Sequence, residues 1–256
     1  MENLDLWAVW TYGLAEPYVK LNFQHRRALP RAPAAPRNMN VNRRDFSNRL
    51  LSMGIASAAV GTALPVAAQT DGPREGAQFT RVEPPVPPAA NGKIEVLEFF
   101  SYACPHCNAF EPSVQVWSKT LPTDVAFRRV PVHFLMNAEN FARTYYALET
   151  IGQVDAINRK IFAAVHVDRL RLDKPEEIAA LVAKNGADGA KFLSAFNSFS
   201  VATSVTRAKT LTESYKLDGV PTMAVQGRYV TSPGLAGNAE RALAVVDFLV
   251  ARARKG

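Results

Sequence analysis

The sequence predicts an α/β protein interrupted by a block of helices. Three observations point there. Residues 93–102, "KIEVLEFFSY", are β-branched and aromatic and read as a buried strand. A helical period follows at once and leads to a second strand, "DVAFRRVPVHF" (124–134). From Ala138 to about Tyr215 the apolar spacing is helical throughout, and strand character returns only at "VPTMAVQGRYV" (220–230).

The N-terminal quarter reads differently from the rest. "MNVNRRDFSNRLLSMGIASAAVGTALPVAAQ" begins at Met39 with a basic head, continues through a mildly apolar stretch and ends in small residues. Val66 and Ala68 stand where a signal peptidase reads, so residues 39–68 are expected to be a signal peptide cut after Ala68. "NRRDF" also suits a twin-arginine head, which leaves Sec and twin-arginine export both open. Residues 1–38 are then an N-terminal extension ahead of a signal that should open a chain. The expected start is Met39, with a long disordered head as the alternative.

Charge is modest once this leader is set aside. The 256 residues carry a formal net charge of +7. Residues 1–68 hold 8 of the 30 Lys+Arg and 4 of the 23 Asp+Glu, leaving 22 and 19 for residues 69–256, a net +3 there. A nucleic-acid protein should keep its basic charge in the folded part, so nucleic acid is not an expected partner. No long apolar run suggests a multi-span membrane protein.

Residues 69–92 are Pro- and Gly-rich and form an extended lead-in, with a short edge strand expected near Phe79–Val82. After the strand at 93–102, Phe110, Val114, Trp117 and Leu121 recur at helical spacing. Pro112 inside that helix removes a backbone donor and should kink it. "DKPEE" reads as a helix start, with Asp173 as N-cap and acidic residues in the first turn. A turn is expected at Gln226–Gly227, and "NAERALAVVDFLVARARK" closes the chain as an amphipathic helix whose basic C-terminus suits the helix dipole.

The chain holds two cysteines, both in "LEFFSYACPHCNAFEP" (97–112). A strand running into Cys-x-x-Cys at a helix start places Cys104 at or near the N-cap. Outward-pointing N–H groups and the positive dipole end favour a thiolate there. Pro105 suits the first helical position, where its missing N–H costs nothing. A protonated His106 would add positive charge beside the sulfur. Cys107 lies one turn on, within reach of a disulfide, so the pair can cycle with Cys104 as the exchanging sulfur and Cys107 as the resolving one.

Other readings of these cysteines are weaker. A structural disulfide does not suit so tight a spacing. A zinc site from Cys104, Cys107, His106 and His133 or His166 lacks the usual second half, so no metal is expected. Haem attachment needs His after the second cysteine, where Asn108 stands. Glu98 interrupts the apolar strand six residues before Cys104. Pattern alone leaves open whether it lies on a solvated face or is a buried acid exchanging a proton with Cys107. Pro221 in "GVPT" reads, on pattern alone, as an ordinary turn proline. His133 reads as a core or strand-end histidine.

Taken together, "VLEFFSYACPHC", the helical stretch, "FNSF" and "GVPT" resemble the DsbA family of periplasmic thiol:disulfide oxidoreductases over most of residues 90–256. The resemblance implies a thioredoxin-like fold from 93–136 and 216–256 with an inserted helical domain at 137–215. It implies a cis Val220–Pro221 bond against the cysteines, with the Val220 backbone pairing an extended substrate, and it favours Glu98 as a buried acid. The implied activity is donation of the Cys104–Cys107 disulfide to newly exported, unfolded proteins in the periplasm, by a monomer needing no cofactor. A DsbB-type quinone-linked membrane oxidase would then reoxidise it. The twin-arginine-like head departs from the family. A disulfide reductase or isomerase is the nearest alternative; a metal- or peptide-binding periplasmic module is a more distant one.

Overall fold

The computed structural model describes residues 72–89 and 92–256. The extension at 1–38 and the signal peptide at 39–68 lie outside the described residues. Along the chain come β1 (Thr80–Arg81), β2 (Ile94–Phe100), α1 (Pro105–Ser118) and β3 (Val125–Pro131). A helical run follows, of α2 (Ala138–Thr150), α3 (Val154–His166), α4 (Pro175–Lys184), α5 (Gly189–Phe196) and α6 (Phe199–Ser214). The chain closes with β4 (Thr222–Val225), β5 (Tyr229–Thr231), α7 (Pro233–Ala236) and α8 (Ala239–Ala253).

The five strands form one mixed sheet in the order β1-β5-β4-β2-β3. β2 runs parallel to β3 and antiparallel to β4, so it is central, and six of its seven residues are buried. A strand covered on both faces reads as a continuous apolar run, which is why it stood out in the sequence. Its side chains alternate between two cores. Val96 joins Phe110, Val114 and Trp117 of α1 and Val246 and Leu249 of α8. Leu97 and Phe99 join Val130, Ala224 and, from α6 and its C-cap, Ala208 and Tyr215. Phe100 and Tyr102 reach a third core, where Ile157, Ile161, Phe162, Ile178 and Phe192 of the helical insertion meet.

The turn expected at Gln226–Gly227 is present between β4 and β5, with φ of 53° and 64°. Such a turn matches the twist of a hairpin. Gly227 is required there twice over, because an added Cβ would lie 1.6 Å from the Val86 carbonyl oxygen. The short edge strand near Phe79–Val82 is also present as β1. α1 continues through Pro112 to Ser118.

One expectation is corrected. Asp173 does not cap α4. Lys174 occupies the N-cap with an extended backbone, Pro175 takes the first helical position, and no side chain caps the helix. The Asp173 carboxylate pairs with Arg171 at 2.8 Å instead. No helix among the described residues is long and apolar enough to cross a membrane.

Candidate active site

β2 ends at Phe100, and the turn that follows is stitched by its own serine. Ser101 Oγ accepts from the Ala103 N–H at 3.1 Å, and its carbonyl accepts from the Cys104 N–H at 3.1 Å. Cys104 is then the N-cap of α1, with φ −89° and ψ 117°, and Pro105 is the first helical residue. The Cys104 sulfur accepts from the Cys107 backbone N–H at 3.3 Å. The sulfur thus stands where a serine or aspartate oxygen usually caps a helix.

The two thiols, three residues apart, have opposite chemistry. Cys104 is drawn from the ordinary 9.0 down to about 6. The largest cause is the hydrogen bond from the Cys107 thiol, opposed by desolvation. The backbone N–H groups of Cys107 and His106 add to the lowering, and the His106 charge contributes least. Burial drives the Cys107 thiol far above the ordinary range, and its contact with Cys104 pushes the same way.

Val220–Pro221 is a cis peptide that approaches the helix start from β4. The Cys104 thiol donates to the Val220 carbonyl at 3.4 Å. His106, Val220 and Pro221 line one hollow of about 300 Å³. Tertiary structure therefore gathers Cys104, Pro105, His106, Cys107, Val220 and Pro221 around one sulfur.

Glu98 is placed differently. It is 1% exposed and, through Arg129, is linked to Glu111 of α1. It faces Arg129 in register on β3 and accepts from Arg129 Nε at 2.9 Å. Arg129 Nη2 also donates to both Glu111 oxygens at 3.2 Å. Burial pushes Glu98 up to about 7; Arg129 opposes this and Glu111 adds to it. Burial also raises Glu111, against the pull of Arg129. Two buried carboxylates thus share one guanidinium, and the arrangement favours a proton on one of them.

With this geometry in place, comparison with known proteins is decisive. Residues 95–240 match the family model of the DSBA-like thioredoxin domain. The chain belongs to the DsbA family. Over 204 residues it is 44% identical to the thiol:disulfide interchange protein DsbA of Bordetella parapertussis, covering 79% of this chain and 96% of that one. It is 39% identical over 199 residues to DsbA of Pseudomonas aeruginosa, covering 78% and 94%. The crystal structure of Pseudomonas aeruginosa DsbA superposes with a TM-score of 0.69 at 40% identity, covering 73% of this chain and 97% of that one. The chain is thus a thiol:disulfide oxidoreductase with a thioredoxin-like fold and a helical insertion.

Arg129 and Glu111 escaped the sequence reading. The available signal was a charge inside an otherwise apolar strand, as at Glu98, but the partner lies 31 residues away across the sheet. His133 sits beyond the end of β3, 3.8 Å from Glu213, as a strand-end residue. His166 lies elsewhere, its Nε2–H donating to the Tyr102 carbonyl at 2.8 Å. Among the described residues no group of three or more His, Cys, Asp or Glu is placed to hold a metal ion.

Proposed function

We propose that the chain is a periplasmic disulfide donor, exported by the signal at 39–68, which passes its Cys104–Cys107 disulfide to newly exported, unfolded proteins. The opposed thiol chemistry of the two cysteines carries this reading. A substrate thiolate attacks Cys104 Sγ, the Cys104–Cys107 bond breaks, and Cys107 leaves and takes up a proton. A second substrate thiolate then attacks its partner sulfur in the mixed disulfide and releases Cys104 as a thiolate. The substrate loses two electrons and the enzyme gains them. Because Cys104 is stable as a thiolate near neutral pH, it leaves readily and the reduced enzyme is favoured, so the oxidised form is a strong oxidant.

Glu98 supplies the proton for Cys107. Its protonated form persists near neutral pH, and it lies on the strand that leads into the cysteines. The Val220 backbone, beside Cys104, holds an extended substrate strand, and Pro221 keeps a backbone N–H out of that edge. A DsbB-type quinone-linked oxidase in the inner membrane accepts the two electrons and restores the disulfide. The reading needs no metal or organic cofactor.

The test is the reduction potential of the cysteine pair, equilibrated against glutathione. A potential clearly more oxidising than glutathione is expected. A value near that of thioredoxin would make the protein a reductase or isomerase. Cys104→Ser should abolish disulfide transfer, and Cys107→Ser should accumulate mixed disulfides with substrates.

A further inference from the structure

Two hollows flank Cys104. The one lined by His106, Val220 and Pro221 belongs to the exchange site already described. The other shares none of its lining residues with the first. It has a volume of about 320 Å³, and Ala103 and Pro105, the chain neighbours of Cys104, form one wall. The helical insertion and the segment leading into α2 supply the rest.

Its apolar lining is unusually open. Met136 is 78% exposed and Leu170 is 45% exposed, with Phe141 buried behind them. Methionine at such a place adapts to varied side chains. Its charge is positive. Arg171 is neutralised by Asp173 at 2.8 Å, whereas Arg169 makes no ion pair among the described residues. His166, at the C-terminal end of α3, completes the wall and is hydrogen-bonded to the Tyr102 carbonyl in the active-site turn.

This hollow is held rather than accidental. Asn137, Arg169 and Leu172 all have φ between 55° and 60°, a region that asparagine tolerates but that is strained for arginine and leucine. Asn137 Nδ2 donates to the carbonyls of Arg171 and Leu172 at 3.2 and 3.0 Å. Asn140 Nδ2 donates to the Asp173 carbonyl at 2.7 Å, and the Leu170 N–H to the Ala164 carbonyl at 2.9 Å. Side chains of α2 therefore clamp the 169–173 segment in a conformation it would not choose alone.

We propose that this hollow is a specificity subsite for the polypeptide substrate. It receives an apolar side chain next to the substrate cysteine, and Arg169 pairs with a carboxylate beside that side chain. The inference rests on the disulfide-donor reading, because continuity with Cys104 is what directs a substrate chain into it. The volume lies at the lower end of the roughly 300–1,000 Å³ typical of ligand pockets, suited to one or two side chains rather than a cofactor.

The test uses three peptides alike except at the centre: Glu-Leu-Cys-Leu-Glu, Lys-Leu-Cys-Leu-Lys and Glu-Ser-Cys-Ser-Glu. The rate at which each opens the enzyme disulfide is compared for wild type, Arg169→Glu, Leu170→Ser and, as a control of equal charge change, Lys255→Glu. Comparing one peptide across enzymes cancels differences in thiol pKa between peptides. Arg169→Glu should slow the acidic leucine peptide about fivefold relative to the control and speed the basic one, an effect that fades at high salt. Leu170→Ser should slow both leucine peptides about fivefold and leave the serine peptide unaffected.

Equal behaviour of Arg169→Glu and Lys255→Glu would overturn the subsite. So would equal slowing of leucine and serine peptides by Leu170→Ser, or concentration-dependent dimerisation of the enzyme lost in that variant, which would assign the hollow to a second copy. If no peptide opens the disulfide, the donor reading fails instead. Fluorescence anisotropy of the same peptides with serine for cysteine then decides the subsite. Binding that prefers the acidic leucine peptide and is lost in Arg169→Glu upholds it, and uniform binding or none overturns it.

Discussion

Under the sheet, Glu98, Glu111 and Arg129 are buried at 1%, 3% and 8% exposure. Within the helical insertion the buried polar side chains are Thr144, Asn158 and Thr212, none of them charged. Thr144 and Thr212 spend their hydroxyls on helix carbonyls one turn back, and Asn158 accepts from the Tyr102 hydroxyl. The insertion is a packing core, stabilised by apolar burial. The sheet core carries ionisable groups at a cost in desolvation, and the charge of one of them, Glu98, is felt at the Cys107 thiol. A buried ion network is weak evidence for stability and better evidence for a task.

The largest expected effect comes from removing the cation. Arg129→Met would leave two carboxylates buried without a partner and should destabilise the protein by about 3–5 kcal/mol at neutral pH. The loss should shrink as pH falls and the carboxylates protonate. Denaturant unfolding of wild type and variant at pH 7 and pH 5 measures both, and an unchanged midpoint would remove the network from any structural role. Next comes a cavity in the insertion. Ile178→Ala, at a fully buried position, should cost about 3 kcal/mol in the same assay while leaving the reduction potential unchanged. A shifted potential would mean that the packing which Ile178 shares with the two cysteines tunes them.

Glu98→Gln should act on pH dependence. Glu98 is raised in the folded state from 4.5 to about 7, so its contribution is fully present below 4.5 and is lost as pH rises through 7. Wild type should therefore lose stability on the order of 3 kcal/mol across that window, and Glu98→Gln should lose less, with Glu111 still raised by burial. Thermal unfolding between pH 4 and pH 8 would show the difference in slope.

Cys104 has the opposite sign. Its lowered value stabilises the reduced form above pH 9, and that stabilisation disappears as pH falls through about 6. Alkylation of the reduced enzyme should show a midpoint near pH 6 with Cys107 silent. The smallest effect is expected from His106→Ser. The His106 charge is the least of the contributions, so the midpoint should move by less than about one unit. A larger move would give the His106 charge more weight than its place behind the hydrogen bonds to the sulfur implies.

Much of the site could be read from the chain because its parts are local. A strand, an N-cap cysteine, a proline at the first helical position and a second cysteine one turn on lie within 94–107, and the geometry of a helix start follows from them. Glu98 could not be settled that way. Whether a strand carboxylate is solvated depends on what the neighbouring strand and the covering helix present, here Arg129 and Glu111. Pattern alone made Pro221 a turn residue, because its distance from Cys104, 116 residues on in the case of Val220, is not a local property. The cap of α4 was misread for a smaller reason. Asp173 is an able capping residue, but Pro175 sets where the helix begins, and Asp173 then lies one residue too early to cap it.

By itself, then, the sequence determined the succession of strand, helix, strand, helical block, paired strands and closing helix, the thiolate-favouring helix start and the family, though not the break between α5 and α6 or the short α7, because the former rest on periodicity, on residues within a few positions of one another and on a motif set in order. Only the tertiary structure decided which charges are buried, which carbonyl meets the Cys104 sulfur and what walls enclose the hollow beside Pro105. Burial and contact belong to pairs of segments brought together from far apart in the chain, and no single segment carries that information.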